Sequence, residues 1–188
     1  NLLFKKNYRL DAFDINKINK KFFIESEKLL PKNNYVGLSI TQGNIYRKKE
    51  WPLDNIIKIS NKLIESKKTP VFLIEKKNQE LKNKIKKLIP MALFPEHETN
   101  ISSPALVTCL GKRLDFAITI DNGVMHMLSL AKVPMIVLFG PTDSEKFAPE
   151  YKNLIILDSK KLHNTKDISA ITVEDVLMAA KQHLNFSY

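Results

Sequence analysis

Two stretches of the sequence place side chains and backbone donors where they could handle an anion. The first is Asp121-Asn122-Gly123-Val124-Met125-His126, directly after the apolar run Phe116 to Ile120 and opening a helical pattern. A glycine there lets backbone N–H groups approach an anion, and the positive end of the helix dipole favours a phosphate. Asp121, at the strand tip, could accept hydrogen bonds from sugar hydroxyls. The same residues also read as a plain strand-to-helix turn in which Asp121 or Asn122 only caps the helix. His126 alone reads as a satisfied, half-buried histidine. Spacing does not separate these readings.

The second stretch is Thr41-Gln42-Gly43-Asn44, followed by Arg47-Lys48-Lys49-Glu50-Trp51-Pro52. Hydroxyl and amide side chains around a glycine, then a lysine beside a helix start, suit a diphosphate. A lysine ammonium is a mobile point charge that offsets charge growing on a departing phosphate. Lys48 and Lys49 also read as part of a general lysine excess, and Trp51 reads as core. Walker A and G-x-G-x-x-G fingerprints are both missing, so ordinary P-loop and dinucleotide sites are excluded. No Asp-x-Asp cluster occurs, so neither a tightly held metal nor another cofactor is expected.

These stretches need a scaffold, and the hydropathy pattern supplies one. Short apolar runs at Tyr35 to Ile40, Val71 to Ile74, Phe116 to Ile120, Pro134 to Phe139 and Asn153 to Leu157 read as strands. Between them lie helical patterns: one with Pro52 in its first turn, then Glu80 to Leu88, then a helix capped by Ser102 or Ser103 with Pro104 at its first position. Val124 to Ala131 and Thr172 to Leu184 complete the set, with Thr172 and Asp175 forming a loose capping box. Continuous apolar strands alternating with helices predict an α/β, Rossmann-like, doubly wound parallel sheet. Ligands of such sheets bind where strand ends meet helix starts. Gly43, Gly123 and Gly140 all fall there. Residues 1–34 are Lys- and Asn-rich with a short apolar face, and read as a connector or docking segment; 35–188 read as the domain.

Composition narrows the function classes. The chain has 188 residues, 44% apolar and 27% charged, which excludes wholesale disorder. Its single Cys109 excludes an intramolecular disulfide framework or a cysteine-rich zinc site. Apolar runs fall far short of the roughly 20 residues a membrane-spanning helix needs. No signal segment opens the chain, so a cytoplasmic location is expected. The chain begins at Asn1 rather than methionine, so a truncation, a cleavage or a further upstream segment is expected to account for the missing start. The net charge of +10 resides in residues 1–100, with 21 Lys and Arg against 11 Asp and Glu, while residues 101–188 hold 9 of each. Of the 30 basic residues 27 are Lys, whereas nucleic-acid readers lean on Arg, so nucleic acid is not the expected partner.

The stretch DNGVMHMLSLAKVPMIVLFGPTDSEKFAP, from Asp121 to Pro149, resembles the signature of family 9 glycosyltransferases, the lipopolysaccharide heptosyltransferases. Asp-x-Gly-x-x-His, a small-residue helix, a Val-Pro turn, an apolar strand and Phe-Gly-Pro-Thr occur in the family's order. KKEWP resembles its Lys-x-Trp-Pro element, with Lys49 as the lysine, and ISAITVEDVLMAA resembles its closing helix. The likeness runs from about Tyr35 to the C-terminus. Departures are TQGN where the family has a Pro-Gly-Ala-Ser-like loop, Glu75 where glycine is frequent, and Asn122 for a Thr or Ser.

The resemblance implies the C-terminal, donor-binding half of a GT-B fold, with the acceptor half and its general base missing from this chain. It implies an inverting transfer from ADP-heptose to a lipid-linked saccharide. Thr41, Asn44, Lys49 and the Gly123–Val124 backbone would hold the diphosphate, with His126 and Asn122 nearby. Asp121 would hold the sugar and Glu80 the ribose. Peripheral contact with an anionic membrane at its inner face is a further expectation. The alternatives are a non-catalytic nucleotide-sugar-binding module, or a basic domain that docks on membrane or nucleic acid.

Overall fold

The computed structural model describes residues 13–41 and 49–184. Five strands, β1 (Tyr35–Ser39), β2 (Thr69–Phe72), β3 (Leu114–Ile120), β4 (Met135–Phe139) and β5 (Leu154–Asp158), form one parallel sheet. Their order is β2-β1-β3-β4-β5. The helices are α1 (Lys20–Leu29), α2 (Leu53–Glu65), α3 (Gln79–Leu88), α4 (Pro104–Gly111), α5 (Gly123–Leu130), α6 (Ser144–Phe147), α7 (Ser159–His163) and α8 (Val173–Leu184).

Alternation along each strand builds two cores from one sheet. Ile136 and Leu138 of β4 face one way and join Val36, Leu38, Ile118, Ile59 of α2, Ile85 of α3 and Val176 of α8. Met135, Val137 and Phe139 face the other way and join Leu106 of α4 and Leu128 of α5. Because both faces are covered, the strands can be apolar throughout. This is the doubly wound α/β sheet that the pattern predicts.

The order of the strands fixes where a ligand can bind. The chain winds outward from β1 to β2, then crosses back to place β3 on the other side of β1. The loops after β1 and β3 therefore diverge and leave a crevice between them.

Local boundaries differ modestly from expectation. Pro52 occupies the cap position before α2 instead of its first turn. β2 begins at Thr69, so Pro70 lies within it. Its carbonyl accepts from Leu93 N–H at 3.0 Å, so its missing donor falls on the outer side, where only an isolated bridge at Leu93 extends the sheet. α6 and α7 are too short for hydrophobic periodicity to reveal and rest on caps from Asp143 and Asp158. The capping box is real: Thr172 N–H donates to Asp175 at 2.8 Å, and Asp175 N–H to Thr172 Oγ1 at 3.1 Å.

The described part of the 1–34 segment docks firmly. Leu30, on the short apolar face of this segment, is fully buried in the α4–α5 core, so the face is part of the core and not only a connector. Arg113 donates to the Leu30 and Lys32 carbonyls at 3.0 and 3.1 Å.

Three of the described glycines serve packing. A Cβ at Gly140 would stand 2.7 Å from Ile168 Cβ and 3.0 Å from its backbone nitrogen. The post-strand position that suggested a ligand role for Gly140 thus reflects the close pass of the Ile168–Ala170 turn. Gly37 and Gly111 are similarly closed in, by Leu114 and by Val133 and Ala131. Gly140→Ala is expected to cost about 1–3 kcal/mol of stability, because backbone rather than a flexible side-chain end must yield. Urea unfolding of the variant measures this directly.

Candidate functional site

The crevice between the β1 and β3 loops is built around one buried ion pair. Lys49, in the segment leading to α2, donates its ammonium to Asp121 Oδ2 at the tip of β3. It also lies 3.4 Å from the Asp121 carbonyl oxygen. The two side chains are each only 9% exposed. Thr142, in the loop after β4, donates its hydroxyl to the same carboxylate oxygen at 2.7 Å. Three loops from three strands therefore meet on one carboxylate.

Each partner is held by a separate device. Trp51, two residues after Lys49, is buried as expected, and its indole N–H donates to the Ile171 carbonyl at 2.8 Å. That bond ties the Lys49 segment to the turn before α8. Asn122 caps α5 by accepting from Met125 N–H at 3.1 Å. Its amide nitrogen donates across the crevice to Ser39 Oγ at 2.8 Å and to the Thr41 carbonyl at 2.9 Å. The capping reading of Asn122 is therefore realised, and the residue also straps the β1 loop to the start of α5.

With Met125 N–H taken by the cap, the amides of Gly123 and Val124 remain first-turn donors that no intrahelical carbonyl can reach. Among the described residues a Cβ at Gly123 would meet only Met127 Cε, 4.0 Å away. Neither packing nor a positive φ calls for glycine here. Among the described residues nothing fills the space in front of Gly123, beside the Lys49–Asp121 pair and at the positive end of a helix. An arrangement of this kind is chemically able to receive an anion such as a phosphate.

The remaining predicted site residues are spread around this point. Val124 packs against the second core, and Thr41 is half-buried on the β1 side. His126 is exposed on α5, which overturns its reading as a half-buried histidine. Glu80 is exposed in the first turn of α3, after β2, on the far side of β1 from Asp121. Asn44 lies outside the described residues. Among those residues no cluster of three His, Cys, Asp or Glu side chains could hold a metal. No described helix is long and apolar enough to cross a membrane.

Sequence reasoning missed Thr142 and Ser39. Both sit at or just beyond strand ends, the signal that selected Asp121, so the strand-end rule applied to β1 and β4 could have found them.

Removing one member of the pair leaves a buried charge uncompensated. Lys49→Met is expected to lower unfolding stability by about 3 kcal/mol, and adding Asp121→Asn to restore much of the loss. Equilibrium urea denaturation of the two singles and the double tests this coupling.

Comparison with known proteins agrees with the geometry. The structure is similar to a glycosyl transferase family 9 protein from Veillonella parvula DSM 2008, with TM-score 0.76 and 19% identity, covering 91% of this chain and 53% of that one. It is similar to E. coli ADP-heptose lps heptosyltransferase II, with TM-score 0.71 and 16% identity, covering 90% and 53%. E. coli heptosyltransferase WaaC with ADP superposes with TM-score 0.67 and 16% identity, covering 84% and 48%. At such identities these likenesses show a shared fold, and the chain spans about half the length of each. None of the curated proteins matches the sequence. The model of Glycosyltransferase family 9 (heptosyltransferase) matches residues 4–177, nearly the whole sequence, and the chain belongs to that family.

Proposed function

We propose that this domain binds a nucleoside-diphosphate sugar, ADP-heptose in its family's reading, and presents it for inverting transfer. The observation that carries the proposal is Gly123. It is a glycine that no packing contact among the described residues requires, at a helix N-terminus beside a buried Lys–Asp pair.

In this reading the amides of Gly123 and Val124 and the ammonium of Lys49 receive the diphosphate. Thr41 and Asn44 approach it from the β1 loop, and His126 from α5. Asn122 holds the two loops in register. Asp121 receives sugar hydroxyls, and Glu80 the ribose. Transfer is direct displacement at the anomeric carbon: an acceptor hydroxyl attacks, the bond to the diphosphate oxygen breaks, and Lys49 offsets the charge gathering on the departing group. ADP is favoured as the nucleotide because a structural relative was solved with ADP and another is named for ADP-heptose.

In this reading the general base and the site for a lipid-linked saccharide lie outside these 188 residues, which span about half the length of their structural relatives, so this chain by itself is expected to bind and not to turn over. The net positive charge of the first 100 residues would suit peripheral contact with an anionic membrane. Co-sedimentation with anionic vesicles, lost at high salt, would support that contact. Co-sedimentation equal to that with neutral vesicles would remove it.

The donor site is tested by calorimetric titration with ADP, UDP and GDP. Saturable binding with ADP preferred is expected. Gly123→Ala should leave unfolding stability within about 0.5 kcal/mol, since the added methyl meets open space. It should weaken ADP at least about tenfold, through the clash with a phosphate seated on the backbone. Unchanged affinity in that variant would contradict the site, and preference for UDP or GDP would contradict the heptose donor.

A further inference from the structure

We propose that Asp121 makes the domain selective for a nucleoside-diphosphate sugar over the bare nucleoside diphosphate, by competing with the diphosphate for Lys49. The inference rests on the donor-site reading above and extends it to what happens after transfer.

The Lys49 ammonium is committed to the Asp121 carboxylate, and Thr142 supplies a second donor to the same oxygen, 2.7 Å away. The carboxylate is nearly withdrawn from water, at 9% side-chain exposure. A diphosphate seated on the first turn of α5 must draw Lys49 toward itself. That withdrawal strips a buried carboxylate of its cation, and an under-satisfied buried charge is costly.

What the arriving ligand offers in exchange decides the outcome. Diphosphate oxygens are acceptors at neutral pH, so a bare nucleoside diphosphate gives Asp121 nothing and adds like charge beside it. A sugar on the terminal phosphate brings hydroxyl donors that can replace the ammonium at the carboxylate. With the sugar present, Lys49 moves to the diphosphate while Asp121 keeps a full set of donors, one of them Thr142. Once the sugar has been transferred, its hydroxyls leave with it and Asp121 reclaims Lys49. The nucleotide product is then weakly held. The pair thus acts as an exchange that accepts the donor and expels the spent nucleotide, with Thr142 holding the carboxylate in place through both states.

The test is calorimetric titration of the full chain with ADP and with ADP-heptose, for wild type, Asp121→Asn, Lys49→Met with Asp121→Asn, and Thr142→Val, with thermal melts as folding controls. Asp121→Asn is expected to bind ADP about threefold or more tighter than wild type and ADP-heptose about tenfold weaker. The gain for ADP should vanish when Lys49→Met is added. Thr142→Val, which leaves the carboxylate more dependent on Lys49, should shift ADP the other way and weaken it. Asp121→Asn that weakens both ligands alike, an ADP gain that survives loss of Lys49, or tighter ADP binding by Thr142→Val would each overturn the exchange while leaving the donor site intact. Wild type that binds neither ligand would overturn the donor-site reading and this inference with it. If Asp121→Asn does not fold, the Thr142→Val result decides.

Discussion

A lysine and an aspartate taken out of water together lose several kcal/mol of solvation per ion, and their attraction recovers this only with good geometry and extra hydrogen bonds. Lys49 and Asp121 are in that position, and much of the surrounding architecture serves to keep them there. Trp51 fixes the segment that carries Lys49 by its bond to Ile171. Thr142 brings a donor from the β4 loop, and the end of β3 delivers the carboxylate. A pair of apolar residues would fill this space at less cost. Its retention at the one crevice where the winding of the sheet reverses is the signature of a place prepared for charge.

The glycines show the same division between fold and ligand. At Gly37, Gly111 and Gly140 a methyl group would press into neighbours at 3 Å or closer, so the fold itself demands the small residue. At Gly123 it would meet, among the described residues, only the end of a methionine at 4.0 Å. Asn122 adds to this by closing Met125 N–H and leaving the two preceding amides pointed outward. Helix dipole and open backbone, both from α5 after β3, converge on one volume with a lysine from the segment after β1.

Much of this was legible in the sequence because each strand is buried on both faces and so appears as an unbroken apolar run. The caps at Ser103 and Thr172 were legible because capping is local chemistry. Helices α6 and α7 were not, since four or five residues carry no period. The displaced start of β2 follows from Pro70, which reads as a breaker but is tolerated where its missing donor faces the thinly paired edge. Asp121 and Lys49 each stood out by position. Their mutual satisfaction did not, because they are 72 residues apart and meet only when β1 and β3 lie side by side. Gly140 was misleading for the same reason: its neighbour Ile168 is distant in sequence. Thr142 and Ser39 share the strand-end position that marks Asp121, but a hydroxyl there gains its role only from partners 21 and 83 residues away.

The central claim is that the nucleotide diphosphate sits on the start of α5, between Lys49 and Asp121. Amide-resolved NMR titration of this chain with ADP tests it most directly. The account predicts that the Gly123 and Val124 amides shift most, with Lys49 and Thr142 moving in the same titration and the same fitted affinity. Saturable shifts confined to another part of the surface, with the start of α5 unmoved, would contradict it.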